Sequence, residues 1–237
     1  MQPLFHIEHV TFHTREPSAI CPALAPISLD IHPGEHIICY DPYGVGSAVF
    51  LYLLAGLIAP VEGRISLGDG HALCRISLFA VQNRLLSLRT NCALHQTCLI
   101  DDLSVEELEE MLFRPITPAS IEQQQLWLHL LLQSGSSEDL LLLDRLFRHM
   151  TPEMEQAYLD TLFRLRTEYA LTIVSAATSL SEAILLGSRI LLFGKAPVTV
   201  CQEYLLPFGD ASPATRMQHQ DYHQIYQKLY DQIESLR

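Results

Sequence analysis

Apolar and polar residues alternate at the start of the chain. Residues 4–12, "LFHIEHVTF", place an apolar side chain at roughly every second position, which predicts a strand with one buried face. "ISLDIHPGEHIICY" gives two further strand-like runs, split by a turn at Pro33-Gly34. The period then changes. From Ala48 to Leu57 almost every residue is apolar, which predicts a buried helix closed by Gly56 and Pro60. "EGRISLGDG" and "RISLFAVQ" return to strand spacing, so an early sheet wraps around one loop–helix unit.

From Thr90 to about Ser134 the pattern is helical. "SVEELEEMLF" opens with a Ser104–Glu107 capping box, and "SIEQQQLWLHLLLQSG" ends at Gly135. "DLLLLD", closing at Asp144, is a continuous apolar run of the kind that fills a central parallel strand buried on both faces. "TPEMEQAYLDTLFRLRTEY" begins with a Thr-Pro cap and keeps helical spacing. "ALTIVSAAT" and "RILLFG" read as two more buried strands, with the helix "SLSEAILLG" between them. This alternation over residues 139–194 predicts right-handed crossovers and a parallel sheet. In the tail, Tyr222, Ile225, Tyr226, Leu229, Ile233 and Leu236 share one helical face, which either packs on its own domain or meets a dimer or partner. The chain contains no internal repeat and no low-complexity tract.

Composition narrows the function classes. A chain of 237 residues forms one sizeable α/β domain and is short for two large ones. Its net charge of −12 disfavours nonspecific contact with nucleic acid or an anionic bilayer, so no nucleic-acid partner is expected. The N-terminus alternates and does not resemble a secretory signal. The longest apolar stretches, such as "VFLYLLAGLIAP", fall short of the ~20 residues a membrane span requires. The expected location is cytoplasmic, peripheral to a membrane through a partner. The six cysteines form no CxxC pair, so no metal site is expected; Cys39 and Cys201 read as buried thiols of a reducing compartment.

The candidate chemistry lies in "DPYGVGSA", residues 41–48, between a predicted strand and the apolar helix. A phosphate loop works through backbone N–H groups at a helix N-terminus, where the helix dipole also favours anions. Gly44 and Gly46 permit that tight approach. Ser47, however, stands where the loop needs its lysine, and Ala48 where it needs a magnesium-binding hydroxyl. Asp41 adds a negative charge beside the anion position. The expectation is weak or absent ATP binding, with magnesium poorly supported.

The order and spacing of several segments resembles the nucleotide-binding subunits of ATP-binding-cassette (ABC) transporters, over roughly residues 4–195. They are the hairpin before "PGE", the Gly-rich loop, "LLAGLIAPVEGRISL", "VQ", "QQQ", "DLLLLD" and "SEAILLGSRILLF". The resemblance implies an α/β fold: a P-loop NTPase (RecA-like) core with a mainly parallel sheet, an N-terminal antiparallel β-subdomain and a shortened helical subdomain. The boundaries it implies are 1–89 for the β-subdomain and first part of the core, 90–134 for the helical subdomain, 135–200 for the second part of the core and 201–237 for a helical tail.

Carried over position by position, the family's loop lysine becomes Ser47 and its hydroxyl Ala48. Gln82 matches the Q-loop glutamine, and Asp144 the Walker B aspartate that holds magnesium through water. The catalytic glutamate becomes Arg145, whose guanidinium stays protonated and cannot act as a general base. The switch histidine becomes Thr178, and the adenine-stacking aromatic falls near Thr14, beside His13. The signature aligns with Pro118–Glu122 or with Ser120–Gln124, so that Ser120, Ile121 and Glu122 belong to both placements. Neither contains the glycine pair that lets backbone approach a phosphate.

The resemblance thus implies a degenerate nucleotide-binding subunit without ATPase activity. Such a subunit docks a membrane permease, an intact ABC ATPase partner or both, within a homo- or heterodimer. Two alternatives stay open: an atypical ABC ATPase that binds and hydrolyses ATP, and a pseudo-ATPase scaffold or regulator outside transport.

Overall fold

A computed structural model describes residues 2–13, 23–42, 46–68, 73–80, 84–91, 140–145, 150–194 and 198–236. Among the described residues the strands are β1 (Phe5–Phe12), β2 (Leu24–Ile31), β3 (His36–Tyr40), β4 (Glu62–Leu67), β5 (Leu73–Ala80), β6 (Arg84–Asn91), β7 (Leu140–Asp144), β8 (Thr172–Ala177), β9 (Arg189–Phe193) and β10 (Val200–Leu205). The helices are α1 (Gly46–Leu54), α2 (Pro152–Tyr169), α3 (Leu180–Leu186), α4 (Pro213–Met217) and α5 (Gln220–Ser235).

Two sheets form. The smaller, ordered β2-β1-β4, is antiparallel throughout. Its central strand breaks strict alternation, because a bulge places His9 at a positive φ of 48° and leaves Glu8 and His9 both exposed. The larger sheet runs β10-β9-β3-β8-β7-β5-β6, with β9, β3, β8, β7 and β5 mutually parallel and an antiparallel strand at each edge. The mixed α/β architecture with an antiparallel β-subdomain and a mainly parallel core is therefore present.

The continuous apolar runs of the central strands serve two cores at once. Along β7, Leu140 and Leu142 face one cluster while Leu141 and Leu143 face the other. In β9, Leu191 and Phe193 take the first side, Ile190 and Leu192 the second. The first cluster contains α1 between the large sheet and β1, β2 and β4; the second contains α2, α3 and α5. Every residue of α1 is buried, as a helix apolar all round must be. Burying Val49, Phe50, Leu51, Leu53 and Leu54 contributes about 1.5–3 kcal/mol each before entropy is counted. That helix is the centre of a core whether or not anything binds at its end.

Local chemistry sets the boundaries. Gly34 turns the chain at φ 76°, and its N–H donates to Thr172 Oγ1. In α2, Thr151 accepts from the N–H of Met154, Pro152 occupies the first turn, and Ala170 ends the helix in the left-handed region. Arg216 is 1% exposed and donates to the carbonyls of Ile184, Gly187, Gly209 and Ala211, tying the end of α3 to the chain around α4. The tail stripe packs on its own domain: Tyr222, Leu229 and Ile233 are buried, and Ile225, Tyr226 and Leu236 lean on the same cluster.

Three sequence readings need correction. Residues 201–237 open with β10, which pairs antiparallel with β9, so the helical part starts at Pro213. Thr90 and Asn91, read as the beginning of the helical segment, belong to β6, which forms a hairpin with β5. Cys201 is exposed, because β10 is an edge strand whose residues are largely solvent-facing; Cys39, in the doubly covered β3, is buried. The helical segment itself, with the Ser104–Glu107 box, lies outside the described residues.

Candidate functional site

In the large sheet β3, β8 and β7 are neighbours, and their register aligns Tyr40 with Ala177 and Ala176 with Asp144. Asp41, Thr178 and the pair Asp144–Arg145 therefore emerge together at the carboxyl ends of parallel strands. Ligands of open α/β sheets bind at such ends.

Gly46 and Ser47 begin α1, and the first N–H groups of a helix lack intrahelical partners. Here they have one: Asp41 Oδ2 accepts from the N–H of Gly46 at 2.7 Å and from that of Ser47 at 3.2 Å. The carboxylate lies where an anion would be cradled. A Cβ at Gly46 would collide with the Val198 side chain, so the glycine is required by packing against the chain before β10. Ser47 is buried, and Ala48 offers no polar atom. Gly44, between Asp41 and this helix start, lies outside the described residues.

Asp144 ends β7, 5% exposed, with both carboxylate oxygens engaged. Arg145 Nε donates to Oδ1 at 3.0 Å, and the Tyr52 hydroxyl, from the middle of α1, approaches Oδ2 at a long 3.5 Å. Burial pushes the Tyr52 hydroxyl well above its ordinary pKa, and the Asp144 charge pushes it further, so it stays a protonated donor. Arg145 adopts a positive φ of 51°, and its N–H donates to the Ala176 carbonyl on β8. This sharp exit lets the side chain fold back onto the neighbouring carboxylate.

Thr178 donates both its N–H and its hydroxyl to Glu182 Oε2, at 2.8 and 2.9 Å, while Ser179 caps α3 by accepting from the Glu182 N–H. Glu182 is 2% exposed, and its other oxygen has no hydrogen-bond partner among the described residues. Burial raises its pKa to about 7, against the lowering effect of the Thr178 and Ser179 hydrogen bonds. His13 is described and exposed; Thr14, Gln82, Ser120, Ile121 and Glu122 lie outside the described residues.

These groups do not fit a magnesium nucleotide. Among the described residues the N–H groups of Gly46 and Ser47 are taken by Asp41, and the Asp144 carboxylate is paired with the Arg145 guanidinium. Position 47 has no ammonium, and position 48 has no oxygen for a metal. Two features of the arrangement were hidden in the sequence: a tyrosine in an otherwise apolar helix announces a buried hydroxyl that needs a partner, and Ser179-x-x-Glu182 is a capping box.

No protein-family model matches the chain. It is 25% identical to the uncharacterized ABC transporter ATP-binding protein YtlC of Bacillus subtilis, an alignment covering 98% of this chain and 96% of that one. It is also 25% identical to the taurine import ATP-binding protein TauB of Roseobacter denitrificans, over 79% of this chain and 76% of that one. Among solved structures, the dimeric ABC transporter cassette MJ0796 matches at TM-score 0.51 and 16% identity, covering 85% of this chain and 98% of that one. A nucleotide-free ATP-binding cassette from an ABC transporter matches at TM-score 0.52 and 11% identity, covering 95% and 99%. At these identities the structures show the fold alone. Taken with relatives whose alignments cover 98% and 79% of this chain, they show a chain similar in sequence to ABC transporter ATP-binding subunits and sharing the fold of their cassettes.

Proposed function

We propose that the chain is a non-hydrolysing member of this family, kept as a docking subunit of an ABC transporter complex. The observation that carries the proposal is the Asp144–Arg145 pair. Phosphoanhydride hydrolysis needs a base or water-orienting group beside the metal-side carboxylate. Arg145 supplies a fixed positive charge instead and spends it on Asp144, with side-chain exposures of 18% and 7%. The intact, fully buried α1 supports the other half of the reading, since its place in the core gives selection a reason to keep the scaffold after the chemistry has gone.

The partner proposed is a membrane permease, with a second ATP-binding subunit alongside. TauB is an import ATP-binding protein, and the MJ0796 cassette is dimeric. Among the described residues no helix is long and apolar enough to cross a membrane, so membrane contact would be made through that partner. The test is affinity purification of the tagged chain from membranes in mild detergent. Co-purification with a polytopic membrane protein is the expected result; complete recovery in the washed soluble fraction, with no membrane protein attached, overturns the docking role.

A further inference from the structure

We infer that Asp41 is a built-in anion that occupies the N–H groups at the start of α1 in place of phosphate, so that the site is liganded by the chain's own charges. The inference rests on the reading of the site as non-hydrolysing and says why nucleotide does not enter it.

Three observations converge on it. The Asp41 carboxylate makes the same contacts an oxyanion would make, two backbone N–H groups at the start of a nine-residue helix, at 2.7 and 3.2 Å. Those N–H groups are held in place, because Gly46 packs so tightly against Val198 that no side chain fits there and α1 is buried along its whole length. Beside them, the carboxylate that could face a cation is already matched by Arg145, at 3.0 Å, with the Tyr52 hydroxyl on its second oxygen. Negative charge sits in the anion position and positive charge on the cation-binding carboxylate. An incoming phosphate meets a filled nest and a like charge, and an incoming metal ion meets a carboxylate that has lost its free charge. A carboxylate five residues before the helix is also its cap, so the same side chain that excludes phosphate stabilises the scaffold.

The experiment compares wild type with Asp41→Gly and Asp41→Ala, following thermal midpoints during titration with pyrophosphate at constant ionic strength. Pyrophosphate is the probe because its binding needs the nest alone and reports nothing about hydrolysis or permease docking. The variants are expected to start about 2–4 °C below wild type, from loss of the cap. They then regain several degrees once pyrophosphate reaches about 100 times its dissociation constant. Wild type should not respond. A wild-type shift equal to that of the variants, or variants that never respond, overturns the proposal. Should neither variant fold, amide spectra of wild type decide: Gly46 and Ser47 resonances that stay fixed as pyrophosphate is added support the carboxylate plug, and their movement overturns it. A chain that fails this test and still co-purifies with a permease loses the plug while keeping the docking role.

Discussion

Restoring the lost residues one class at a time should expose Asp41 as the last barrier to nucleotide. Consider Ser47→Lys, Ala48→Ser and Arg145→Glu together, which return the ammonium, the hydroxyl and the acidic group while leaving Asp41 in the nest. A phosphate entering this triple variant would form the same two N–H bonds that Asp41 now accepts, each charge-assisted bond being worth about 1.5–3 kcal/mol, so the exchange is close to neutral. The displaced carboxylate then decides the balance. Even if it swings to about 8 Å, each unit-charge pair repels by about 2 kcal/mol at an effective dielectric of about 20. Two such pairs correspond to roughly a thousandfold in affinity, before solvent screening reduces the figure. Adding Asp41→Gly to the triple variant should therefore tighten ATP binding by about 10²–10³, measured by calorimetry with and without magnesium. Equal affinities for the triple and quadruple variants would refute the electrostatic argument.

Other consequences follow from the cores and the buried charges. Phe50→Ala, which removes a ring 6.1 Å from that of Phe193 in the α1 core, should cost about 3–5 kcal/mol in urea unfolding; a cost under about 1 kcal/mol would mean α1 is not central to the fold. Arg216→Met keeps the volume but removes the guanidinium bonds to the carbonyls of Ile184, Gly187 and Ala211, leaving Gly209 with Arg166 alone, and should cost at least about 3 kcal/mol, with Arg216→Lys recovering part of it. Glu182 links stability to pH. Its folded pKa of about 7 lies above the ordinary 4.5, so its contribution is full below about pH 4.5 and is lost as pH rises through 7, about 3 kcal/mol in all. His36 works in the opposite sense: burial first, then Arg166 and Arg216, lower its pKa well below 6.5, so its contribution is present above that value and lost as pH falls. Glu182→Gln should thus remove the decline in midpoint between about pH 5 and pH 8 and leave the His36 rise. A variant that retains the wild-type decline would show that Glu182 is not its source.

The parts of the fold that were legible in the sequence are those where burial dictates residue type. β3, β7, β8 and β9 are covered on both sides, so they carry apolar runs where a strand with one exposed face would alternate. The start of α2 was equally readable, because Thr151 and Pro152 act through the local backbone. β10 escaped because "VCQEYL" is an edge strand with little burial, and without a buried face there is no period to read. At the site, single losses could be read from residue type: a serine has no ammonium, and an arginine cannot act as a base. Their combination could not. That Asp41 meets the N–H groups of Gly46 and Ser47 depends on how the end of β3 is set against the start of α1, and that Arg145 folds onto Asp144 depends on a positive φ at the strand end. Sequence spacing carries neither.

Steady-state phosphate release from magnesium ATP bears most directly on the central claim, measured for the purified wild-type chain beside Asp144→Asn. With Arg145 paired on Asp144 and Asp41 in the nest, both proteins should release phosphate at the background rate. Turnover by wild type that disappears in Asp144→Asn would contradict the account, because it would require a free carboxylate at Asp144, where Arg145 is paired, and free N–H groups at Gly46 and Ser47, where Asp41 is bound.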